Sequence, residues 1–311
     1  MQRTETMPVP ELVAASPVCP VCNSAALRRF QANAFDSRTR ARVHIVECQS
    51  CYFAWQHPQV RSAEESVTYF SATYADEGKT DTRYFAPDYK LAVSNLELDF
   101  VESLPNTGRR LLDVGAGAGI FASVAAQRGW QATALDPALD PARVADSRVR
   151  AITGVLADVP ANEQFDVVTL WDVVEHAIEP VALIEGARDL VRPGGWMVVE
   201  TGNYKSVDRV SGGVDSWIFQ LDHRWYFAPE SMAGLLERAG FTEMTFAQRV
   251  LRPNWQGETG YAGPSLVHLM KSLVRRPAQI AHHFARHRAL QQARHWQQPG
   301  LGIFCVAGRR A

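Results

Sequence analysis

The stretch L-L-D-V-G-A-G-A-G, residues 111–119, decides the fold. An apolar run ends in one acid, Asp113, and then in three alternating glycines, Gly115, Gly117 and Gly119. That is how a buried strand running into a glycine turn reads. The dinucleotide fingerprint G-x-G-x-x-G puts its third glycine one position later. A pyrophosphate is anionic, so an acid at the loop entrance would repel it. A loop that opens with Asp113 suits a ligand carrying positive charge or hydroxyl donors.

Outward from this loop, apolar runs alternate with amphipathic segments. Strands are expected at 110–114, 131–135, 149–153, 165–171, 195–201, 241–247 and 301–307, with helices at 119–128, 139–146, 179–191 and 229–239. This alternation implies an α/β domain whose mainly parallel sheet is covered on both faces. Asp136 closes the second of these strands, Q-A-T-A-L-D, 23 residues after Asp113. An acid at that place commonly grips ribose hydroxyls. Asp113 as a helix cap, and Asp136 as the opening of a turn before Pro137, are the bland alternatives.

Four of the five cysteines form two pairs, Cys19-Pro-Val-Cys22 and Cys48-Gln-Ser-Cys51, with about 25 residues between them. Two such knuckles supply four thiolates to a tetrahedral zinc, Zn2+. Residues 27–48 read as two strands joined by a polar turn, so the module is a zinc ribbon. Too small to fold on its own core, it would draw its folding free energy from a structural metal remote from catalysis. A pair of disulfides is disfavoured in a reducing cytosol, and a redox pair needs only one knuckle. Cys305 lies alone in an apolar strand and reads as core.

These features divide the chain into a zinc-ribbon module (1–65), a helical linker (66–107), a cofactor-binding domain (108–251 and 300–311) and a basic helical insertion (252–299). The linker holds a helical run at 89–104, and the insertion spaces Leu266, Met270, Leu273, Ile280 and Phe284 at roughly helical intervals. Apolar residues make up 46% and charged residues 21%, the balance of a globular chain. No apolar run reaches the 18 residues or so of a membrane span, and the N-terminus lacks a signal-peptide core, so a cytoplasmic location is expected.

The net charge of −1 conceals an asymmetry. No Asp or Glu follows Glu258, whereas eight Lys and Arg do, including Arg275, Arg276, Arg286 and Arg288. Residues 1–258 therefore sum to −9 and the remainder to +8. Such a block attracts phosphates, nucleic acid or anionic lipid, or merely balances an acidic body.

The block F-D-V-V-T-L-W-D-V-V-E-H-A-I-E-P, from 165 to 180, continues through a helix to a Pro-Gly-Gly turn and the strand W-M-V-V-E-T. With the glycine loop and Asp136, it resembles the class I S-adenosylmethionine-dependent methyltransferases. It looks most like the small-molecule branch that includes the ubiquinone O-methyltransferases, over about residues 85–250 and the last strand. The resemblance implies a Rossmann-like seven-stranded sheet and S-adenosylmethionine as cofactor. It places Asp113 near the amino-acid moiety, Gly115, Gly117 and Gly119 beneath it, and Asp136 on the ribose diol. The segment 154–160 would line the adenine; where family members often carry an acid after the glycine, this chain has Val155, leaving Leu156 and Asp158 to serve. Trp171 and Asp172 would border the sulfonium.

Methyl transfer needs alignment, exclusion of water and a base for the acceptor's proton. Two histidines lie at the expected rim. His176 follows the fourth strand, and His223 opens a segment similar to the family's His-x-x-x-Phe. His223 reads as the general base and His176 as orienting the acceptor or its loop; a scaffold role is the alternative for each. Glu175 supports the loop, while Asn203 and Tyr204 are weaker pocket candidates. The function expected is O-methylation of a hydroxyl on a small molecule of sugar, lipid-linked or natural-product type. The basic insertion would act as a lid favouring an anionic acceptor, with peripheral membrane contact as its rival. An RNA methyltransferase is the second reading, from the ribbon and the basic tail, although "WDVVEH" stands where amino-group methylation uses Asn-Pro-Pro-Tyr. C-methylation of a nucleotide sugar, or a vestigial fold that binds a partner, completes the alternatives.

Overall fold

The computed structural model describes residues 18–35, 40–59, 87–105, 108–249 and 302–311. The basic insertion, with Arg275, Arg276, Arg286 and Arg288, lies outside the described residues, as do 60–65 of the ribbon module and 66–86 of the linker. The glycine loop is entered from β4 (Arg110–Val114), and β5 (Gln131–Asp136), β6 (Arg150–Thr153), β7 (Phe165–Trp171) and β8 (Val191–Gly202) complete the parallel part of the sheet. Two antiparallel strands follow, β10 (Phe241–Arg249) and β11 (Ile303–Arg310). The spatial order is β10-β11-β8-β7-β4-β5-β6. This is the seven-stranded α/β sheet that the alternation implies.

Alternation along each strand feeds two cores. Leu111, Val167 and Val198 join α1 (Pro87–Ser103) and α2 (Ile120–Gln127) on one face. Leu112, Val168 and Val199 join α3 (Pro180–Leu190) and α5 (Pro229–Arg238) on the other. A short helix α4 (Val207–Gly212) lies between β8 and α5. Fully buried Trp196, Phe165 and Phe241 each contribute roughly 1.5–3 kcal/mol by leaving water.

The chain order reverses between β4 and β7: β5 and β6 extend the sheet to one side, β7 and β8 to the other. Open α/β sheets bind ligands in the crevice beyond the carboxyl ends of the strands at such a switch point. Asp113, Asp136 and Trp171 all stand at those ends.

The cysteine module is a second sheet. Strands β1 (Leu27–Phe35) and β2 (Arg40–Cys48) pair over nine residues. A third strand, β3 (Ala54–Gln56), pairs with β2 and also with β9 (Trp225–Tyr226) of the main body. The ribbon sheet is therefore continued by a strand from the body. Cys19, Val21, Cys48, Phe53 and Trp55 share one core with Phe227, Met232 and Leu235.

The helix expected at 139–146 does not form; the structure has only a 3-10 turn, Pro141–Arg143, there. Pro141 removes a donor and disfavours helical geometry at Asp140, whose carboxylate instead accepts from the Ala142 amide at 3.0 Å.

Candidate functional site

The glycine loop folds over the end of β5. The amides of Gly115 and Ala116 both donate to the Leu135 carbonyl, at 2.8 and 3.1 Å. All three glycines have positive φ, +72° for Gly115, +54° for Gly117 and +72° for Gly119. At Gly115 a Cβ would stand 2.5 Å from Cγ2 of Val173, so no other residue fits between the loop and the segment after β7. Gly119 begins α2.

Asp113 is 2% exposed. Thr169, directly opposite on β7, donates its hydroxyl to Oδ1 at 2.8 Å. Burial, partly countered by that hydrogen bond and reinforced by Asp136, pushes the Asp113 carboxyl up to about 7. A buried carboxyl that costs this much to ionise is a ready partner for a cation. Asp136 accepts from the Gly117 amide at 3.0 Å through Oδ2 and from the Ala138 amide at 2.7 Å through Oδ1. Burial raises its pKa as well. Each of its oxygens retains a lone pair, the acceptor set that a diol requires.

Beyond β6, Asp158 accepts from the Val155 amide at 2.8 Å in a 3-10 turn, Leu156–Asp158, which leaves Val155 half exposed. The Asp158 carboxylate is thus engaged in shaping its own turn. Trp171 tilts against Phe121 of α2, with centroids 5.0 Å apart, and its buried indole N–H has no partner among the described residues. Asp172 takes φ +52°, uncommon for a side-chain-bearing residue, and turns the chain sharply out of β7. These residues fit the cofactor that the sequence resemblance implies: a cationic amino acid beside Asp113, a diol beside Asp136 and an apolar shelf at Val155 and Leu156.

On the other side of the crevice the two histidines meet. Their rings lie edge to face, with centroids 4.8 Å apart. His176 Nδ1 is 3.0 Å from the Asp222 carbonyl, and His223 Nδ1 is 3.0 Å from the Ile218 carbonyl. A carbonyl only accepts, so each Nδ1 carries a proton. Burial, and secondarily the neighbouring His176, hold His223 down at about 4, so it is neutral at physiological pH. Asp222 and Asp172 act in the opposite direction and favour its protonated form.

Glu175 joins this pair: one ligand atom from each of Glu175, His176 and His223 lies within 4.8 Å of the others. Glu175 is buried, its Oε2 has no partner among the described residues, and burial together with Asp172 raises its pKa well above the usual range. Its backbone carbonyl accepts from the amides of Arg224 and Trp225, at 2.8 and 3.2 Å. Asn203 is buried just beyond β8, and its Nδ2 has no partner among the described residues. Tyr204, read from sequence as a pocket candidate, instead donates its buried hydroxyl to Glu47 of the ribbon at 2.5 Å. It ties two sheets together.

In the ribbon, the four cysteine sulfurs lie within 4.8 Å of one another. Cys19 and Cys51 are 3.7 Å apart, and Cys22 and Cys48 3.5 Å, far beyond the ~2.05 Å of a disulfide. A hydrogen bond from Cys51 pulls the Cys19 thiol down to about 5. Four convergent thiols, two of them buried, fit a tetrahedral zinc. The module is not remote from the histidines, since β3 pairs with β9 two residues beyond His223.

Two contributors escaped the sequence reading. Thr169 is the one hydroxyl in β7, set between apolar neighbours Val168 and Leu170, a signal that could have marked it as the partner of Asp113. Gln56 ends β3 and carries no sequence signal at all.

A family model described as a methyltransferase domain matches residues 86–245, which is 160 of the 311 residues. A ubiquinone biosynthesis O-methyltransferase of Cereibacter sphaeroides is 30% identical over 177 residues, covering 51% of this chain and 71% of that one. Its counterpart in Xylella fastidiosa is 33% identical over 124 residues, covering 36% of this chain and 50% of its own length. This chain thus spans only about half of that relative. In structure, a SAM-dependent methyltransferase of Thermotoga maritima superposes with a TM-score of 0.51 at 16% identity, covering 78% of this chain and 99% of that one.

Proposed function

Because this chain belongs to the family of methyltransferase domains and is an S-adenosylmethionine-dependent methyltransferase, we propose that it methylates a hydroxyl of a small-molecule acceptor, with His223 as the base. The cofactor, when bound, supplies a methyl group activated by its sulfonium. Asp113 pairs with the cofactor's ammonium, Asp136 accepts from its ribose hydroxyls, and the loop at Gly115 and Gly117 leaves room for it. Trp171 and Asp172 border the reacting carbon.

The observation that carries the reading is the histidine pair. With the proton on Nδ1, held by the Ile218 carbonyl, the neutral ring keeps Nε2 as its acceptor, on a segment bonded to the loop after β7. That Nε2 would take the acceptor's hydroxyl proton, while the bound cofactor would supply the methyl group and leave as its thioether. Asp172 and Asp222 stabilise the imidazolium that results. His176, tied to the Asp222 carbonyl, holds the second imidazole edge-on and orients the acceptor. The names of the two bacterial relatives support oxygen as the methylated atom. The acid-free composition after Glu258 supports an acceptor bearing phosphate or carboxylate, on sugar, lipid-linked or natural-product scaffolds.

The test is a screen of such hydroxyl acceptors with isotopically labelled S-adenosylmethionine, followed by His223→Ala on the best one. A general base contributes ~10²–10⁴-fold, so turnover should fall on that scale while affinity for S-adenosylhomocysteine stays intact. Full turnover in the variant would remove His223 from the chemistry.

One observation favours a second reading of the same cluster. Glu175, His176 and His223, each offering one ligand atom within 4.8 Å of the others, form a donor set for a divalent cation, which would bind and acidify the acceptor hydroxyl instead of a base. Turnover lost to a mild chelator while the ribbon keeps its zinc, and restored by magnesium or manganese, would favour the cation.

A further inference from the structure

The ribbon is built into the body at one place above all, the turn that carries His223. Gln56, the last residue of β3, is 1% exposed. Its Nε2 lies 2.7 Å from the carbonyl of His223 and 3.0 Å from that of Gln220. Both carbonyls only accept, so the amide nitrogen must face them. The Gln56 backbone amide donates to the Arg224 carbonyl at 3.0 Å. Three successive points of the turn, at 220, 223 and 224, therefore hang from one ribbon residue.

The opposite side of the turn is held by the loop after β7. The amides of Arg224 and Trp225 donate to Glu175, the Trp225 indole donates to the Ala177 carbonyl at 2.6 Å, and His176 bonds Asp222. The turn is thus bracketed between the ribbon and the loop that carries His176. A turn held on one side only would let the His223 ring rotate away from His176.

The bracket leads back to the cysteines. The Cys48 amide donates to the Phe53 carbonyl at 2.8 Å and the Tyr52 amide to Cys48 at 3.0 Å, so the second knuckle turns directly into β3. Phe53 then stacks on Trp225 at 6.0 Å and tilts against Phe227 at 4.9 Å. The knuckle geometry sets where β3 lies, and β3 sets where the turn lies.

We infer that Gln56 is a positioning residue for methyl transfer: through its side-chain amide the cysteine ribbon fixes the 218–226 turn and so the placement of the His223 imidazole against His176. The inference rests on His223 being the base, and it assigns the ribbon a part in shaping the acceptor side of the site.

The experiment uses the full zinc-loaded chain, comparing wild type with Gln56→Met, which keeps volume and removes the donor. Hydrogen exchange in peptides spanning 216–227 should accelerate at least tenfold, with the central strands β4, β5 and β7 unchanged. ¹⁵N spectra of the histidines should show His223 losing its fixed Nδ1–H tautomer, while affinity for S-adenosylhomocysteine stays within twofold. With the acceptor found in the screen above, the turnover number should fall at least tenfold with a smaller change in KM. Unchanged exchange and an unchanged His223 tautomer would overturn the inference, and so would acceleration spread evenly over the whole chain. If the Met variant does not fold, wild type still decides: the Gln56 side-chain amide protons should exchange slowly and show contacts to residue 223. Rapid exchange of those protons would refute it. Should His223→Ala retain full turnover while Gln56→Met still frees the turn, the base assignment fails and the bracket stands.

Discussion

Binding of the cofactor should release a proton, and Asp113 is the reason. Its carboxyl lies 2% exposed with one hydroxyl donor, and burial lifts it from 3.8 to about 7. A shift of about three pH units corresponds to roughly 4 kcal/mol against the ionised form. At pH 7 the empty site is therefore about half protonated. An ammonium placed against it favours the carboxylate and lowers the pKa, so the bound proton leaves. The expected release is roughly 0.9 proton at pH 6, 0.5 at pH 7 and 0.1 at pH 8, provided the bound value falls below about 5. Affinity should rise with pH until the empty site is ionised and then level off. Calorimetric titration of S-adenosylhomocysteine at each pH, in two buffers of different ionisation enthalpy, gives the proton count directly. Asp113→Asn should abolish most of the release. A release that is zero at all three pH values, or that survives in Asp113→Asn, would refute the placement of the ammonium at this carboxylate.

The same residue predicts the stability of the empty protein. A folded pKa above the unfolded one contributes stability that is present below 3.8 and is lost as pH rises through about 7. His223 runs the other way. Its folded value of about 4 lies below 6.5, so about 3 kcal/mol is lost as pH falls from 6.5 towards 4, and replacing it with Gln should flatten that limb of a pH–denaturation curve. Asp136→Ala should weaken S-adenosylhomocysteine by roughly 1.5–3 kcal/mol in a folded variant, and an unchanged calorimetric affinity would remove it from the ribose. Gly115→Ala, forced to φ +72° with a Cβ 2.5 Å from Val173, should cost roughly 1–3 kcal/mol in urea unfolding as well as cofactor binding. Elemental analysis should find one zinc per chain, lost in Cys22→Ser; a wild-type chain without stoichiometric metal would discard the four-cysteine centre.

Sequence alone carried those parts of the protein whose cause is local. The strand-and-glycine signature at 111–119, the acid at Asp136, and the helix and strand that meet at the Pro-Gly-Gly segment follow from periodicity and turn chemistry within a few residues. The two knuckles did too, since four thiols at that spacing have little other use. The segment 139–146 was legible in part, because Pro141 disfavours helical geometry at Asp140 and so cuts into the start of a helix there. Only the tertiary structure could decide what depends on strand order. Thr169 meets Asp113 because β7 lies beside β4 in one particular register. His176 and His223 meet because the turn beyond β8 returns to the loop after β7. Gln56 reaches residues 164 to 170 positions away because a three-residue ribbon strand pairs with a two-residue strand of the body. A polar side chain buried by distant neighbours leaves no periodic trace in its own segment. Its partners exist only once the sheets have packed.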